Sequence, residues 1–181
     1  MNAQSNAQPN ALAPSAAGGA EPKQYLTFVL GGEIYAVGIL AVKEIIEYAG
    51  LTSVPMMPEA IRGVINLRGA VVPVMDLAAR FGRQASEITK RTCIVIVEVE
   101  QGGEQQVIGV MVDAVNAVLE IAAADIEPAP SFGARIRSDF IAGMGKVNGK
   151  FVILLDAGQV LSVQEISALA SSGERALAVE A

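Results

Sequence analysis

The residue types that usually carry enzymatic chemistry are nearly missing from this chain. It has no histidine, no tryptophan and a single cysteine, Cys93, so most metal sites and nucleophile–base pairs lack their parts. The 19 Asp and Glu side chains could work as acid–base pairs, but they are scattered and no two fall in a recognisable motif. No Gly-x-Gly-x-x-Gly or Walker-type loop follows a strand; Gly31-Gly32 and Gly102-Gly103 each join two apolar runs and read as hairpin turns. These features point away from catalysis and from any cofactor or metal. What remains is recognition, and its leading candidate is Arg68. It is the charged side chain at the bend of Gly63-Val64-Ile65-Asn66-Leu67-Arg68-Gly69-Ala70-Val71-Val72-Pro73-Val74-Met75-Asp76-Leu77. By local context alone, Arg68 reads as a solvated turn residue.

The elements that must position it follow from the same stretch. Two short apolar strands fold about Arg68-Gly69, because glycine at the bend can take φ > 0 without a Cβ clash. Asp76 can accept hydrogen bonds from the free N–H groups of a helical turn over Leu77 to Phe81, which Gly82 ends. Asn66, Gly69, Asp76 and Asp113 are accordingly assigned to turns and caps.

The chain has 181 residues, enough for one large or two small domains with a real core. Its residues are 52% hydrophobic, yet no apolar run approaches the roughly 18 residues of a membrane helix. The start lacks a basic region followed by an apolar core, and one cysteine fits a reducing compartment, so a cytoplasmic location without direct membrane insertion is expected. The net charge of -6 disfavours nucleic acid as a partner. Residues 1–22 are almost all Asn, Ala, Gln, Ser, Pro and Gly, which predicts a disordered tail.

Beyond the tail, strands are predicted over Tyr25 to Leu30 and Ile34 to Val37, with a helical turn from Ile39 running into a strand that ends near Tyr48. Glu59 to Arg62 is expected to form one helical turn, and the polar stretch Gly82 to Arg91 to link two halves. Thr92 to Val99 and Gln106 to Val112 make a second hairpin, followed by a strand through Val115 to Ile121. Phe140 to Val147 and Lys150 to Leu155 make a third about Asn148-Gly149, the strongest type I′ signal in the chain. Ser162-Val163-Gln164-Glu165 has capping-box spacing and predicts a C-terminal helix to about Ala170, with 163–181 as helix and frayed tail.

The two halves repeat. Gly63–Phe81 lies on Gly143–Leu161 without a gap, matching Gly63 with Gly143, Gly69 with Gly149, Val72 with Val152 and Asp76 with Asp156. Asn148 then occupies the place of Arg68. Two related β-barrel units, mainly β with a few short helices, are the expected architecture for residues 23–162.

Arg62-Gly63-Val64-Ile65-Asn66-Leu67-Arg68-Gly69, with Val72-Pro73-Val74 and Asp76-Leu77, resembles the signature of CheW-type chemotaxis coupling proteins. The similarity runs from about Tyr25 to Leu161 and takes in Val42-Lys43-Glu44-Ile45, Gly109-Val110-Met111-Val112-Asp113-Ala114-Val115 and Gly143-Met144-Gly145. A departure is Gly38, where many relatives carry Asp or Pro. The resemblance implies two SH3-like five-stranded β-barrels on a shared hydrophobic core and a non-enzymatic adaptor role. Its partners would be the cytoplasmic tip of chemoreceptors and the regulatory domain of the histidine kinase CheA, with recruitment to receptor arrays at the inner face of the membrane. The receptor-coupling positions carry over to Val42, Glu44, Gly63, Arg68 and Val118, where a helix would dock in an apolar groove with a charged rim. Two other readings are coupling in a chemosensory-like pathway with an output other than flagellar motility, and a small-molecule-binding β-barrel.

Overall fold

The computed structural model describes residues 22–129 and 138–162, so the predicted tail 1–22 except its last residue, and the predicted helix and tail 163–181, lie outside the described residues. The elements are β1 (Lys23–Leu30), β2 (Glu33–Gly38), β3 (Val42–Glu47), β4 (Ile61–Leu67), β5 (Ala70–Asp76), α1 (Leu77–Arg80), β6 (Cys93–Gln101), β7 (Glu104–Val112), β8 (Ala114–Ile121), β9 (Ile126–Glu127), β10 (Ile141–Val147), β11 (Lys150–Leu155) and α2 (Ala157–Val160). A single 3₁₀ turn, Ile39–Ala41, leads into β3 as expected. Gly38 before it has φ -59° and ψ 135°, a conformation open to proline, and a Cβ there would meet nothing.

Glu59 to Arg62 corrects the expectation of a helical turn. Glu59 and Ala60 form a plain turn, the Ile61 N–H donates to the Pro58 carbonyl at 2.9 Å, and Arg62 already belongs to β4. Pairing of the β-branched Ile61 with Met75 outweighs one isolated turn of helix.

The strands make two mainly antiparallel sheets, ordered β3-β6-β7-β5-β4 and β8-β1-β2-β11-β10-β9. They correspond residue by residue. In the first sheet β5 runs parallel to β7 with Val74 opposite Gly109; in the second β11 runs parallel to β2 with Leu154 opposite Ala36. The β3–β6 ladder bulges at Lys43, and the β8–β1 ladder bulges at Asn116. Arg62 bulges from β4 as Ala142 does from β10, and Thr52 bridges Val64 where Glu127 pairs Met144. The repeat therefore extends well beyond the hairpin that suggested it.

The halves on either side of Gly82–Arg91 are nevertheless not the two barrels. Hairpin β1–β2 joins β8 and β11 from the second half, and hairpin β6–β7 joins β3 and β5 from the first. Each barrel is finished by the other half of the chain.

The main core lies between the sheets. Leu26, Phe28, Leu30 and Tyr35 from one sheet meet Met75, Val95, Val97 and Val110 from the other, with Leu77, Phe81, Phe140 and Val160 from the turns that follow β5 and β11. Burying each of these large side chains stabilises by about 1.5–3 kcal/mol. Arg80 ties the two sides together: its Nε donates to the Val160 carbonyl at 2.7 Å and its guanidinium sits 4.6 Å over the Phe140 ring. Smaller clusters fill each sheet's own interior, Ala36, Ile121, Val152 and Leu154 in one and Val74, Ile94, Ile96 and Met111 in the other. No helix among the described residues is long and apolar enough to cross a membrane.

Candidate functional site

Arg68 and Gly69 have φ of 52° and 89°, and Asn148 and Gly149 have φ of 52° and 77°. Both bends are thus two-residue hairpin turns with both residues left-handed, which is type I′. Asparagine tolerates that backbone readily, whereas arginine at this φ is uncommon. The Asn66 Oδ1 accepts the Gly69 N–H at 2.8 Å and braces the turn. The chain accordingly holds Arg68 at the outermost point of the β4–β5 hairpin.

Glu44 comes from β3, one residue after the bulge at Lys43. β3 and β4 are the two ends of the five-stranded sheet. The sheet curls until they approach, and Arg68 closes the gap with two parallel hydrogen bonds to Glu44, Nη1 to Oε1 at 2.6 Å and Nη2 to Oε2 at 2.8 Å. The side chains are 74% and 27% exposed, so the pair lies at the surface with the guanidinium the more open partner. Arg68's hydrogen bonds hold the Glu44 carboxyl below the ordinary glutamate range, and Glu44 raises the guanidinium's pKa in turn. In the other barrel the matching positions are Ala117 and Asn148. The pair exists in one copy of the duplicated scaffold.

Beside this pair runs a groove of about 390 Å³ between β3, the β4–β5 hairpin and β7, lined by Leu67, Val71, Pro73, Ile96 and Val107 among others. Val71 is 73% exposed, a large apolar side chain left in water at the groove's edge. Lys43 reaches across to Glu98 at 3.5 Å. An apolar floor with a fixed ion pair on its rim can receive an apolar stripe and set its register. No cluster of His, Cys, Asp or Glu that could hold a metal occurs among the described residues.

The five positions carried over from the resemblance do not all meet. Glu44 and Arg68 share the groove. Val42 is half-buried and packs against the main core. Gly63 is buried beneath the Thr52–Val64 bridge: a Cβ there would lie 2.5 Å from the Thr52 carbonyl oxygen, so it is a close-approach glycine away from the groove. Val118 belongs to β8 of the other sheet, opposite Leu26, and is exposed. Asp156 bonds within its own turn, whereas Asp113, expected in a turn or cap, reaches across to the β1–β2 bend, 82 residues away. Asp156 accepts the Gln159 N–H at 3.2 Å, and Asp113 accepts the Gly31 N–H at 2.8 Å.

Asp76 does more than cap a turn. It is fully buried and accepts from Arg62 at 2.7 Å, from the Ala78 N–H at 3.0 Å, and from the Ser86 N–H and hydroxyl at 3.0 and 3.1 Å. The hydrogen bonds pin the middle of the 82–91 segment to the end of β5. Val71 was likewise unmarked in the sequence, because one exposed valine inside an apolar run looks like its buried neighbours.

Comparison with known proteins gives concordant results. The model of the CheW-like domain matches residues 24–165. The chemotaxis protein CheW of Klebsiella aerogenes is 34% identical over 145 residues, covering 80% of this chain and 85% of the relative. The chemotaxis protein CheW of Rhizobium meliloti is 34% identical over 143 residues, covering 79% and 90%. Among solved structures, the crystal structure of the scaffolding protein TtCheW from Thermoanaerobacter tengcongensis superposes with a TM-score of 0.70 at 36% identity, over 79% of this chain and 90% of the other.

Proposed function

The chain belongs to the CheW-like domain family, and from that premise we propose that it couples chemoreceptors to the histidine kinase CheA as an adaptor at cytoplasmic receptor arrays. Members of the family are scaffold proteins of chemotaxis signalling and not enzymes. The single observation that carries the finer reading is the Arg68–Glu44 pair beside an apolar groove, present on one barrel and replaced by Asn148 and Ala117 on the other. The receptor's helical tip lays its apolar face along Val71 and Val107, and the rim charges fix its register. The kinase's regulatory domain takes a different surface.

The test is sedimentation of receptor-containing membranes with purified kinase, with and without this protein. Kinase recovery in the pellet rises when the protein is present; recovery that does not depend on it refutes the proposal. Arg68→Ala and Arg68→Glu lower receptor binding at least several-fold while leaving the circular-dichroism spectrum and kinase binding unchanged. Equal loss of both partners makes Arg68 a structural residue.

A further inference from the structure

We propose that this chain exchanges halves with a second copy of itself, forming a dimer in which every barrel contains strands of both copies. The topology allows it. The first half, β1 to α1, and the second, β6 to α2, meet through four strand pairings: β1 with β8, β2 with β11, β3 with β6 and β5 with β7. Gly82–Arg91 is the connection between them. If that segment opens, the first half of one copy can pair with the second half of another, re-forming all four ladders and the main core unchanged. Exchange of this kind gives up no native contact outside the hinge, and its costs are the hinge's own hydrogen bonds and the entropy of association.

The hinge carries its own restraint. The Ser86 N–H and hydroxyl both bond to the buried Asp76, the Arg83 N–H donates to the Ala78 carbonyl at 2.9 Å, and Thr89 and Thr92 bond each other. These bonds hold the segment folded back, favour the closed monomer and set the barrier to exchange. Ser86 is the latch that a substitution can release.

Exchange also alters the groove. Glu44, Arg68 and Val71 come from the first half, whereas Ile96, Gln106 and Val107 come from the second. In the exchanged dimer each groove is composite, and the molecule presents two of them. If the groove is the receptor surface proposed above, the dimer is a bivalent adaptor; the exchange itself is read without any receptor, so the two ideas fail separately.

Glu47 and Cys93 make the test direct. They face each other in the β3–β6 ladder, one on each half. The adjacent Tyr48 N–H bonds to the Thr92 carbonyl, so Glu47 and Cys93 form a non-hydrogen-bonded pair. Cα atoms of such pairs lie about 4.5 Å apart, within disulfide reach. The full-length chain and its Ser86→Pro variant are refolded from denaturant at low and high protein concentration and their masses measured after dilution. Ser86→Pro removes both bonds to Asp76 and extends the hinge. The expected result is a dimer fraction that grows with refolding concentration, survives dilution, and is several-fold larger for Ser86→Pro. A Glu47→Cys variant is then oxidised with glutathione disulfide. In the dimer the disulfide between the introduced thiol and Cys93 joins two chains, and a denaturing, non-reducing gel shows dimer; in the monomer fraction it shows monomer. Monomers alone at every concentration from the unsubstituted chain overturn the proposal, whether or not Ser86→Pro folds. A dimer whose cross-link stays within one chain overturns it as well.

Discussion

The two copies of the Asp-capped turn predict very different costs for the same substitution, Asp76→Asn and Asp156→Asn. Asp76 Oδ2 accepts from Arg62 at 2.7 Å and the Ser86 N–H at 3.0 Å; Oδ1 accepts from Ala78 at 3.0 Å, Ala79 at 3.4 Å and the Ser86 hydroxyl at 3.1 Å. An amide in that place must turn its NH₂ toward donors whichever way it faces. Toward Arg62 and Ser86 it loses a charge-assisted bond and strands buried N–H groups; toward Ala78 and Ala79 it uncaps the helix. Breaking a buried charged pair of this kind costs about 3–5 kcal/mol. Asp156 is exposed and its side chain accepts from Gln159 at 3.2 Å. Asparagine caps a helix about as well as aspartate, so the change there costs under about 0.5 kcal/mol. Urea unfolding of both variants beside the unsubstituted protein measures the difference. In heat, the first variant loses about 6–20 °C of melting temperature. Losses that agree within about 1 kcal/mol would show that burial of Asp76 contributes nothing its exposed copy lacks, and the reasoning fails.

Three further outcomes are expected. Burial, followed by the hydrogen bond its hydroxyl donates to Glu33, pushes the Tyr35 phenol up to about 12. Its folded value lies above the unfolded one, so the associated stability is intact below the ordinary tyrosine value of about 10 and is lost as pH rises toward 12. Urea midpoints between these pH values should fall more steeply for the unsubstituted protein than for Tyr35→Phe; parallel curves would exclude the assignment. Gly63→Ala drives a Cβ to 2.5 Å from a backbone oxygen of Thr52, whereas Gly143→Ala first meets a side-chain methyl of Ile126 at 2.6 Å. Backbone yields less easily, so the first should cost about 2–3 kcal/mol and the second clearly less, and the reverse order in denaturant titration would contradict the packing argument. For Glu44, a carboxyl NMR titration should place its protonation below the ordinary glutamate range, and Arg68→Ala should return it there; because the folded pKa is lowered, the pair persists above the ordinary range and is lost only as pH falls below it.

Local chemistry made much of the fold readable. Gly31-Gly32, Gly102-Gly103 and Asn148-Gly149 need left-handed backbone, and each is a hairpin turn. The caps Asp76 and Asp156 were legible for the same reason. Partner choice was not. Apolar alternation says that β2 and β5 are buried strands but not that β2 pairs with β11 or β5 with β7, since a strand's periodicity carries no address. The burial of Asp76 is not legible in the sequence because its flanks resemble those of Asp156; the difference lies in Arg62 against Ala142 and in the reach of Ser86. The groove was legible only through resemblance. Arg68 and Glu44 are 24 residues apart with no local pattern joining them, and curling of the sheet brings them together.

The interleaving of the two halves also says something about descent. A single half has a β2 and a β5 that each take one of their two neighbours from the other half, so a chain of that length completes its barrels only by meeting its twin, and the twin is identical. Every change on one side of such a pair is written on both. Joined end to end through the 82–91 segment, the halves change one at a time. An arginine in a left-handed turn paired with a glutamate on one barrel, and an asparagine and an alanine at the matching positions of the other, are what that independence permits.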